Sequence, residues 1–424
     1  MRFRFAIAAL AAAGLALTAC TSDSGEATDV GSVPPADATG TLTVWLMQGS
    51  QTSDVIEAVN EAFAEEYPDV EVNVELQQWA GIQEKLNSSL DTDTTPDVVE
   101  IGNSLTARYA GAGLLADLSA YAEDFDVEAM LPGLQPPGVL DGARYGIPYY
   151  GGVRVVVYNK AQFEKAGAAV PKSLADLEKA AAALQEANAD NDAYSAFYFP
   201  GRYWNGALPF IWDAGGEIAT QEGETWTGAL DQPEAVAGLT TLKGLVEKYS
   251  KAPVDSDETK NLEAFQTGNV GMMIDSWWAP GALDTGELQG DVGAFALPGS
   301  EAGTTSPVYF GGSDLAVSAR SAQQALGVQW MQILTGTEVQ TLLASAGVIP
   351  NQEAAFAGHR GNPFMVAADT AATNSRFTPV SPNWPYVESA QVLPDMLVNI
   401  LRNDKTVEVA TAEASGQIAS ILNS

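Results

Sequence analysis

The sequence predicts an α/β protein in which helices pack on sheets of mostly parallel strands, and two observations support this fold class. Short apolar runs rich in β-branched residues alternate with amphipathic segments of helical period. The folded body, residues 41–424, is also too long for a single core in most folds. We therefore expect two lobes, each with its own sheet and helices.

The first part of the body shows a β-α-β-α-β pattern. Its opening apolar run is typical of a buried strand, and Asp54 and Glu57 then have the N-cap and N3 spacing of a helix that Pro68 ends. The next run alternates apolar and polar residues, as a strand does. In order, the predicted segments are strand 41–47, helix 54–67, strand 70–76, helix 79–90 and strand 96–102.

The rest of the chain repeats this style. One helix is marked by a capping pair, Ser173 and Asp176, followed by apolar positions at helical spacing. The predicted segments are strand 152–160, helix 171–188, strands 269–275, 291–299 and 313–319, and helices 323–334, 388–401 and 407–422.

The N-terminus predicts secretion and a lipid anchor. Arg2 and Arg4 precede an apolar run too short to cross a bilayer comfortably, which is typical of a signal peptide. The run ends in Leu-Thr-Ala-Cys, which resembles a bacterial lipobox, with an ordinary signal peptide as the alternative. We expect a signal peptide over 1–19, an acylated Cys20 that attaches the protein to the extracellular face of the membrane, and a disordered tether over 20–40.

Composition excludes several classes of function. The chain has 20 Lys+Arg against 54 Asp+Glu, and loss of Arg2 and Arg4 with the signal peptide gives 18 − 54 = −36. Such a charge repels nucleic acid. Cys20 is the only cysteine and His359 the only histidine, so zinc and haem sites are not expected and no cofactor is predicted. We expect His359 to lie in a surface loop.

The order of several fragments resembles the extracellular solute-binding proteins of ABC transporters, in the sugar-binding group typified by maltose-binding protein. The fragments include "FAEEYPDVEVNVE", "PDVVEIG", "YGIPYYGGVRVVVYNKAQFEKAG", "FQTGNVGMMIDSWW" and "SPNWPYV". The opening of the body is especially similar to actinobacterial oligosaccharide binders, including those for chitobiose-type sugars. The resemblance covers nearly all of the folded body.

The resemblance implies a two-lobed periplasmic-binding-protein fold of type II with three hinge crossovers, near residues 148–153, 295–298 and 347–351. It implies an N-terminal lobe of 41–149 plus 299–347 and a C-terminal lobe of 150–296 plus 349–424.

The resemblance also implies a function without catalysis. The protein would be a monomeric, lipid-anchored receptor that binds a neutral oligosaccharide between its lobes and delivers it to the transmembrane subunits of an ABC permease. Two alternatives stay open. A ferric-ion-binding protein of the same fold could use Tyr149 and Tyr150, and a secreted glycosidase would need two carboxyl groups about 5–10 Å apart.

Tryptophans at element ends are the candidates for stacking on sugar faces, because a pyranose offers apolar faces and a hydroxyl rim. Of the adjacent pair Trp277 and Trp278, we expect one ring to pack and the other, with a preference for Trp278, to stack. Trp45 and Trp330 have the spacing of core residues. The other candidates for stacking are Trp79, Trp204 and Trp384.

Polar groups for the sugar hydroxyls are sought in turns after strands, where ligands of α/β sheets bind. The alternative for each is helix capping or solvent exposure. The turns "QGS" and "GNS" differ from the maltose-binding pattern of a charged pair and a tryptophan, which puts maltodextrin in doubt. The remaining predicted binding residues are Gln48, Ser50, Glu100, Asn103, Tyr149, Tyr150, Arg202, Tyr203, Phe310 and Gly312.

Overall fold

The computed structural model describes residues 33–92 and 94–424. The predicted signal peptide, the predicted lipid anchor Cys20 and the predicted tether up to residue 32 lie outside the described residues. Within the described ranges, no helix has the length and apolar character needed to cross a membrane.

The strands of the described ranges are β1 (Gly40–Met47), β2 (Val70–Gln77), β3 (Val98–Gly102), β4 (Val139–Leu140), β5 (Ala143–Arg144), β6 (Ile147–Gly152), β7 (Arg154–Asn159), β8 (Ser195–Tyr198), β9 (Ala219–Glu222), β10 (Thr225–Gly228), β11 (Val270–Ser276), β12 (Val292–Phe295), β13 (Val308–Tyr309), β14 (Gly311–Val317), β15 (Ile349–Pro350) and β16 (Ser375–Arg376). Seven of these strands, β1, β2, β3, β7, β11, β12 and β14, follow the predicted apolar and alternating runs, and the other nine were not predicted.

The α-helices are α1 (Ser53–Glu66), α2 (Ile82–Ser89), α3 (Asn103–Gly111), α4 (Lys160–Ala166), α5 (Leu174–Ala187), α6 (Trp204–Asp213), α7 (Pro233–Tyr249), α8 (Asn261–Gln266), α9 (Ala279–Leu283), α10 (Gln324–Thr335), α11 (Thr337–Ser345), α12 (Met365–Thr373), α13 (Trp384–Ser389), α14 (Val392–Leu401) and α15 (Val407–Leu422). Short 3-10 helices lie at Ser119–Tyr121, Val127–Ala129, Pro132–Leu134, Pro136–Gly138, Glu258–Lys260, Gly286–Leu288 and Glu353–His359.

Local sequence signals explain several boundaries. The Ser173 hydroxyl accepts a hydrogen bond from the Asp176 amide at 3.1 Å, so the predicted capping pair begins α5. The predicted start of α1 at Asp54 is one residue late, because the helix begins at Ser53 with Thr52 as its N-cap.

Two sheets divide the body into two lobes. The first lobe is built on a six-stranded sheet of order β15-β6-β14-β3-β1-β2, and the second on a four-stranded sheet of order β12-β7-β11-β8. The prediction of mixed sheets holds, but "mostly parallel" is wrong. Only β1 with β2, β1 with β3 and β11 with β8 are parallel among the strand pairs of these two sheets. Hydrophobic periodicity locates a strand but does not give its direction.

Large aromatic residues fill the lobe interiors. The predicted core tryptophans Trp45 and Trp330 are buried, at 7% and 0% exposure, so this prediction is confirmed. The Trp330 indole nitrogen donates to the Asn60 side-chain oxygen at 2.9 Å, which pairs the polar atom of a buried ring. The first-lobe core therefore pairs the polar atom of its largest buried ring.

The chain crosses between the sheets at Val153, between β12 and β14, and after β15. The predicted lobe boundaries need correction at these points. Residues 150–152 and 349–350 pair within the first sheet, not the second. Residues 299–303 stay with the second lobe, because the Leu174 amide donates to the Gly299 carbonyl at 2.8 Å and the Gly303 amide to the Lys172 carbonyl at 2.9 Å.

The prediction that His359 lies in a surface loop is wrong. Its side chain is buried between Asp369 and the backbone that leads into β15, with Nδ1 2.6 Å from the Asp369 carboxylate and Nε2 2.9 Å from the Val348 carbonyl oxygen. A carbonyl can only accept, so Nε2 carries a proton. The histidine is thus a structural group at the hinge, which its polar sequence neighbours did not indicate.

Candidate functional site

The gap between the lobes is bordered by strand ends of both sheets. On the first lobe, Trp79 lies in the turn between β2 and α2 and is 45% exposed. Its ring is near Gly102, where an added Cβ would lie 3.6 Å from Trp79 Cζ3. The first lobe therefore presents the half-exposed indole of Trp79 at the end of its sheet, with part of the ring near Gly102.

Four side chains from the turn after β1 and from strands β3, β6 and β14 form what we call the floor cluster: Ser50, Glu100, Tyr150 and Ser313. The Glu100 carboxylate accepts from the Met47 amide and the Ser50 hydroxyl, both at 2.7 Å. The Tyr150 hydroxyl lies 3.0 Å from Ser50 Oγ and accepts from Ser313 Oγ at 3.4 Å. These bonds tie β1, β3, β6 and β14 together at the hinge side of the gap.

Burial controls the electrostatics of the floor cluster. Glu100 is fully buried, and this burial raises its pKa to about 7, although the bonds from Met47 and Ser50 act to lower it. Burial, followed by the neighbouring Glu100 charge, raises the pKa of Tyr150 to about 12. Glu100 was predicted to contact ligand, but its buried carboxylate instead positions the loop after β1 and the Tyr150 hydroxyl.

The structure separates the adjacent tryptophans. Trp277 packs its ring on Gly152, and its indole nitrogen donates to the Gly347 carbonyl at 3.1 Å, so it braces two hinge crossovers. Trp278 is 49% exposed. Of the two rings, Trp278 is therefore the one whose face is available to a ligand.

Further aromatic rings lie in a row on the second lobe. Trp204 stands at the start of α6 with its ring centroid 5.7 Å from that of Tyr309, and Tyr309 is 5.8 Å from Phe377. All three are partly exposed. Trp204 was predicted for the site; Tyr309 and Phe377 were missed, because nothing in their sequence context distinguishes them from core residues.

Three predicted aromatic binding residues, Trp384, Tyr149 and Phe310, are buried in the lobe cores, whereas Gly312 is only partly buried. Trp384 is 1% exposed within the second-lobe core, and its indole nitrogen donates to Glu388 at 2.8 Å. The reason is that α13 begins at this residue and turns the ring inward. Tyr149 and Phe310 are fully buried, and an added Cβ at Gly312 would lie 2.2 Å from the Tyr150 carbonyl oxygen. Close strand packing, not ligand approach, accounts for this glycine.

Other predicted polar residues are dispersed. Gln48 is exposed and bonds to Gln78, whereas Asn103 begins α3 with its side-chain nitrogen buried and without a partner. The guanidinium of Arg202 bonds to Asp395 and Gln391, each at 3.0 Å, within the second lobe.

A second polar group lies at the edge of the second lobe. We call Arg154, Tyr203, Asn261 and Asp275 the open cluster, because each has a buried side-chain atom without a hydrogen-bond partner. Only Tyr203 was predicted. A signal for the others existed, since Arg154 and Asp275 are charges inside otherwise apolar strands.

Helices α3 and α13 make a direct contact between the lobes. The Arg108 guanidinium lies 5.0 Å from the centre of the Tyr386 ring, a cation–π distance. Beyond this contact, at the far end of α3, a cavity of about 840 Å³ is lined by both lobes, including Arg144 and Trp226. None of the predicted binding residues lines this cavity.

The comparisons with known proteins agree with this architecture. The family described as bacterial extracellular solute-binding protein matches residues 48–341. The diacetylchitobiose-binding protein of Streptomyces coelicolor is 35% identical over 393 residues, covering 90% of both chains.

Solved structures are similar in fold. The sugar-binding protein MalE of Xanthomonas citri has a TM-score of 0.80 at 19% identity, covering 90% of this chain and 97% of that one. The cyclic α-maltosyl-1,6-maltose-binding protein of Arthrobacter globiformis has a TM-score of 0.77 at 18% identity, covering 91% and 100%. The predicted two-lobed α/β fold and the family resemblance are confirmed.

Proposed function

This chain belongs to the bacterial extracellular solute-binding proteins, and we propose from this premise that it captures an uncharged oligosaccharide between its two lobes for import by an ABC permease. The observation that carries the proposal is the pair of half-exposed tryptophans, Trp79 on the first lobe and Trp278 on the second. Each stands at a strand end that borders the gap. Two such faces suit the apolar faces of sugar rings.

A short chain of N-acetylglucosamine units, such as N,N′-diacetylchitobiose, is the ligand class we favour. The support is the relative in Streptomyces coelicolor, whose name states that it binds diacetylchitobiose. The turns after β1 and β3 also depart from the maltose-binding pattern. This relative favours the sugar-receptor hypothesis over the ferric-ion and glycosidase alternatives.

The proposed mechanism is closure without chemistry. A ligand that contacts both lobes stabilises the closed arrangement by its differential affinity, and the permease recognises that form. The crossover at Val153 joins β6 directly to β7, so a change of backbone angle there moves one sheet against the other. We further propose that the protein acts as a monomer on the extracellular face, attached through Cys20.

A thermal-shift screen of the purified protein tests this function. The panel contains N,N′-diacetylchitobiose, cellobiose, maltotriose and mannitol, with glucuronic acid as an anionic control. A true ligand at 100 times its dissociation constant adds about 2.7 kcal/mol to the free energy of unfolding. We expect the first sugar to give the largest shift. Absence of a shift with every neutral sugar contradicts the proposal.

A further inference from the structure

The open cluster is unusual because its unpaired atoms are concentrated. Buried polar atoms are normally paired, and an unpaired one implies a partner such as water or ligand. Within the described ranges, Arg154 Nε, Tyr203 Oη, Asn261 Oδ1 and Asp275 Oδ2 all lack a hydrogen bond. The Asn205 side-chain oxygen, two residues from Tyr203, is in the same state.

These atoms stand beside the proposed ligand. Arg154 is the first residue of β7 and pairs in register with Ser276, the last residue of β11. Ser276 is two residues before the exposed Trp278, and Tyr203 directly precedes Trp204 of the aromatic row. The cluster therefore lies at the end of the sheet that borders the gap, between the two sets of rings.

The guanidinium of Arg154 is charged and not neutralised by a salt bridge. None of the salt bridges formed by the described residues includes Arg154. Burial acts to lower the pKa of Arg154, but the surrounding Tyr203, Glu258, Tyr309 and Asp275 raise it overall. The residue as a whole is partly exposed, although its Nε atom is buried.

The acceptor side of the cluster is equally incomplete. Asp275 uses one oxygen to accept from the Ser276 amide at 2.6 Å, while the other is free. The Tyr203 hydroxyl is near enough to Arg154 for the two groups to interact electrostatically, yet it lacks a hydrogen bond of good geometry. The cluster therefore places a charged donor and an unpaired acceptor near each other.

We propose that Arg154, with Asp275 and Tyr203, is the polar recognition element of the second lobe, and that it binds an uncharged sugar group that both accepts and donates hydrogen bonds. This inference rests on the proposed function and names the ligand chemistry of the same site. Adjacent ring hydroxyls and an acetamido group share this chemistry. A sugar carboxylate does not fit, because Asp275 and Glu258 repel it.

The test is calorimetric titration of N,N′-diacetylchitobiose into four proteins: the parent, Arg154→Met, Arg154→Lys and the matched control Arg402→Met. Arg402 is also a second-lobe arginine, but its partner is Asp255 on the outer surface. We expect Arg154→Met to weaken binding by about tenfold to one-hundredfold, since a hydrogen bond to a charged group is lost. Arg154→Lys should recover part of that loss, and Arg402→Met should bind as the parent does.

Unfolding of each ligand-free variant separates binding from structure. Because Arg154 lacks a salt bridge, its replacement should leave the unfolding midpoint near that of the parent while affinity falls. Binding by Arg154→Met within twofold of the parent overturns the inference but leaves the proposed function intact. If Arg154→Met does not fold, Asp275→Asn is titrated in its place, with the same threshold. A parent that binds no neutral sugar refutes the proposed function itself.

Cellobiose provides a second arm, because it replaces each acetamido group with a hydroxyl. If the effect of Arg154→Met is the same for both sugars, ring hydroxyls occupy the cluster. If the effect is confined to diacetylchitobiose, the acetamido group does. A glucuronate-containing disaccharide that binds as tightly as either neutral sugar contradicts the proposed selection against carboxylates.

Discussion

The floor cluster and the open cluster have similar residues but opposite hydrogen-bond states. Each contains a buried carboxyl group and a tyrosine. In the floor cluster, Glu100 accepts two bonds at 2.7 Å and joins β1 to β3. In the open cluster, Asp275 keeps one buried oxygen unpaired. The first arrangement joins strands of one sheet through paired atoms, whereas the second leaves four buried side-chain atoms without a partner.

This difference shows how one fold combines stability with binding. A fully satisfied buried network fixes geometry, and an incomplete one carries a cost that a ligand can remove. The two clusters therefore contribute differently. The floor cluster supplies paired polar groups near the exposed Trp79 indole, and the open cluster supplies unpaired polar atoms near Trp278 and the aromatic row.

The largest expected effect comes from comparing two tryptophans of the second lobe, the buried Trp384 and the exposed Trp278. Trp384→Ala removes a fully packed indole, so we expect the free energy of unfolding in urea to fall by about 3–5 kcal/mol. Trp278→Ala removes a half-exposed ring, so stability should change by less than about 1 kcal/mol while sugar affinity falls about tenfold or more. Equal effects of the two variants on affinity, after correction for unfolded protein, would contradict the placement of these rings.

The next largest effect is the pH dependence of folding stability that Glu100 and Asp275 produce. Burial raises the pKa of Glu100 to about 7 and that of Asp275 to about 6, so both prefer to be protonated in the folded state. Folding stability is therefore lost as pH rises from the ordinary carboxyl range through these values, by roughly 3 kcal/mol at most for each group. Bound sugar should remove only the part of this stability loss that comes from Asp275.

The measurement is the free energy of unfolding from pH 4 to 8, with and without sugar. The groups that act on Asp275 are Ser276, Asn261, Arg154 and Glu258, and Glu100 faces Met47, Ser50, Ser313 and Tyr150. Asp314, whose pKa burial also raises to about 7, contributes in both conditions. Glu100→Gln should reduce the loss of stability between pH 4 and 8 by the same amount with and without sugar. Asp275→Asn should abolish the difference between the losses measured with and without sugar. A sugar-dependent part that persists in Asp275→Asn would contradict the comparison.

The smallest effect concerns the contact that joins the lobes directly. The Arg108 and Tyr386 pair is partly exposed, and such a cation–π contact contributes about 0.5–1 kcal/mol. Because it draws the lobes together, Arg108→Ala should weaken sugar binding two- to fivefold. Titration calorimetry measures this, with Arg108→Lys as the charge-preserving control. Unchanged affinity in Arg108→Ala would show that the contact does not contribute to closure.

Sequence reasoning located the elements better than it located the site. Strand and helix periods were sufficient to predict β1, α1, β2 and β3. They were insufficient for strand direction, because direction depends on where the chain returns across the hinge. For single residues, we expected a tryptophan at the end of a helix or strand to be exposed, and Trp79 and Trp278 are exposed. The same reasoning failed for Trp384, since a helix that starts at the tryptophan rotates its ring into the core.

The polar residues show a second limit. Glu100 and Asp275 both follow apolar strand residues, and nothing in their neighbours indicates that one would be fully bonded and the other not. That difference arises from partners distant in sequence, such as Ser50 for Glu100. Charges within apolar strands do identify buried polar sites, and this rule would have identified Arg154.

The proposed function requires one ligand that contacts both lobes, and amide hydrogen exchange tests this most directly. Exchange is measured by mass spectrometry with and without saturating N,N′-diacetylchitobiose. We predict slower exchange in two separate sets of peptides, around Trp79 and Asn103 in the first lobe and around Tyr203 and Trp278 in the second. Protection confined to one lobe, or placed at the cavity near Trp226, would contradict the account.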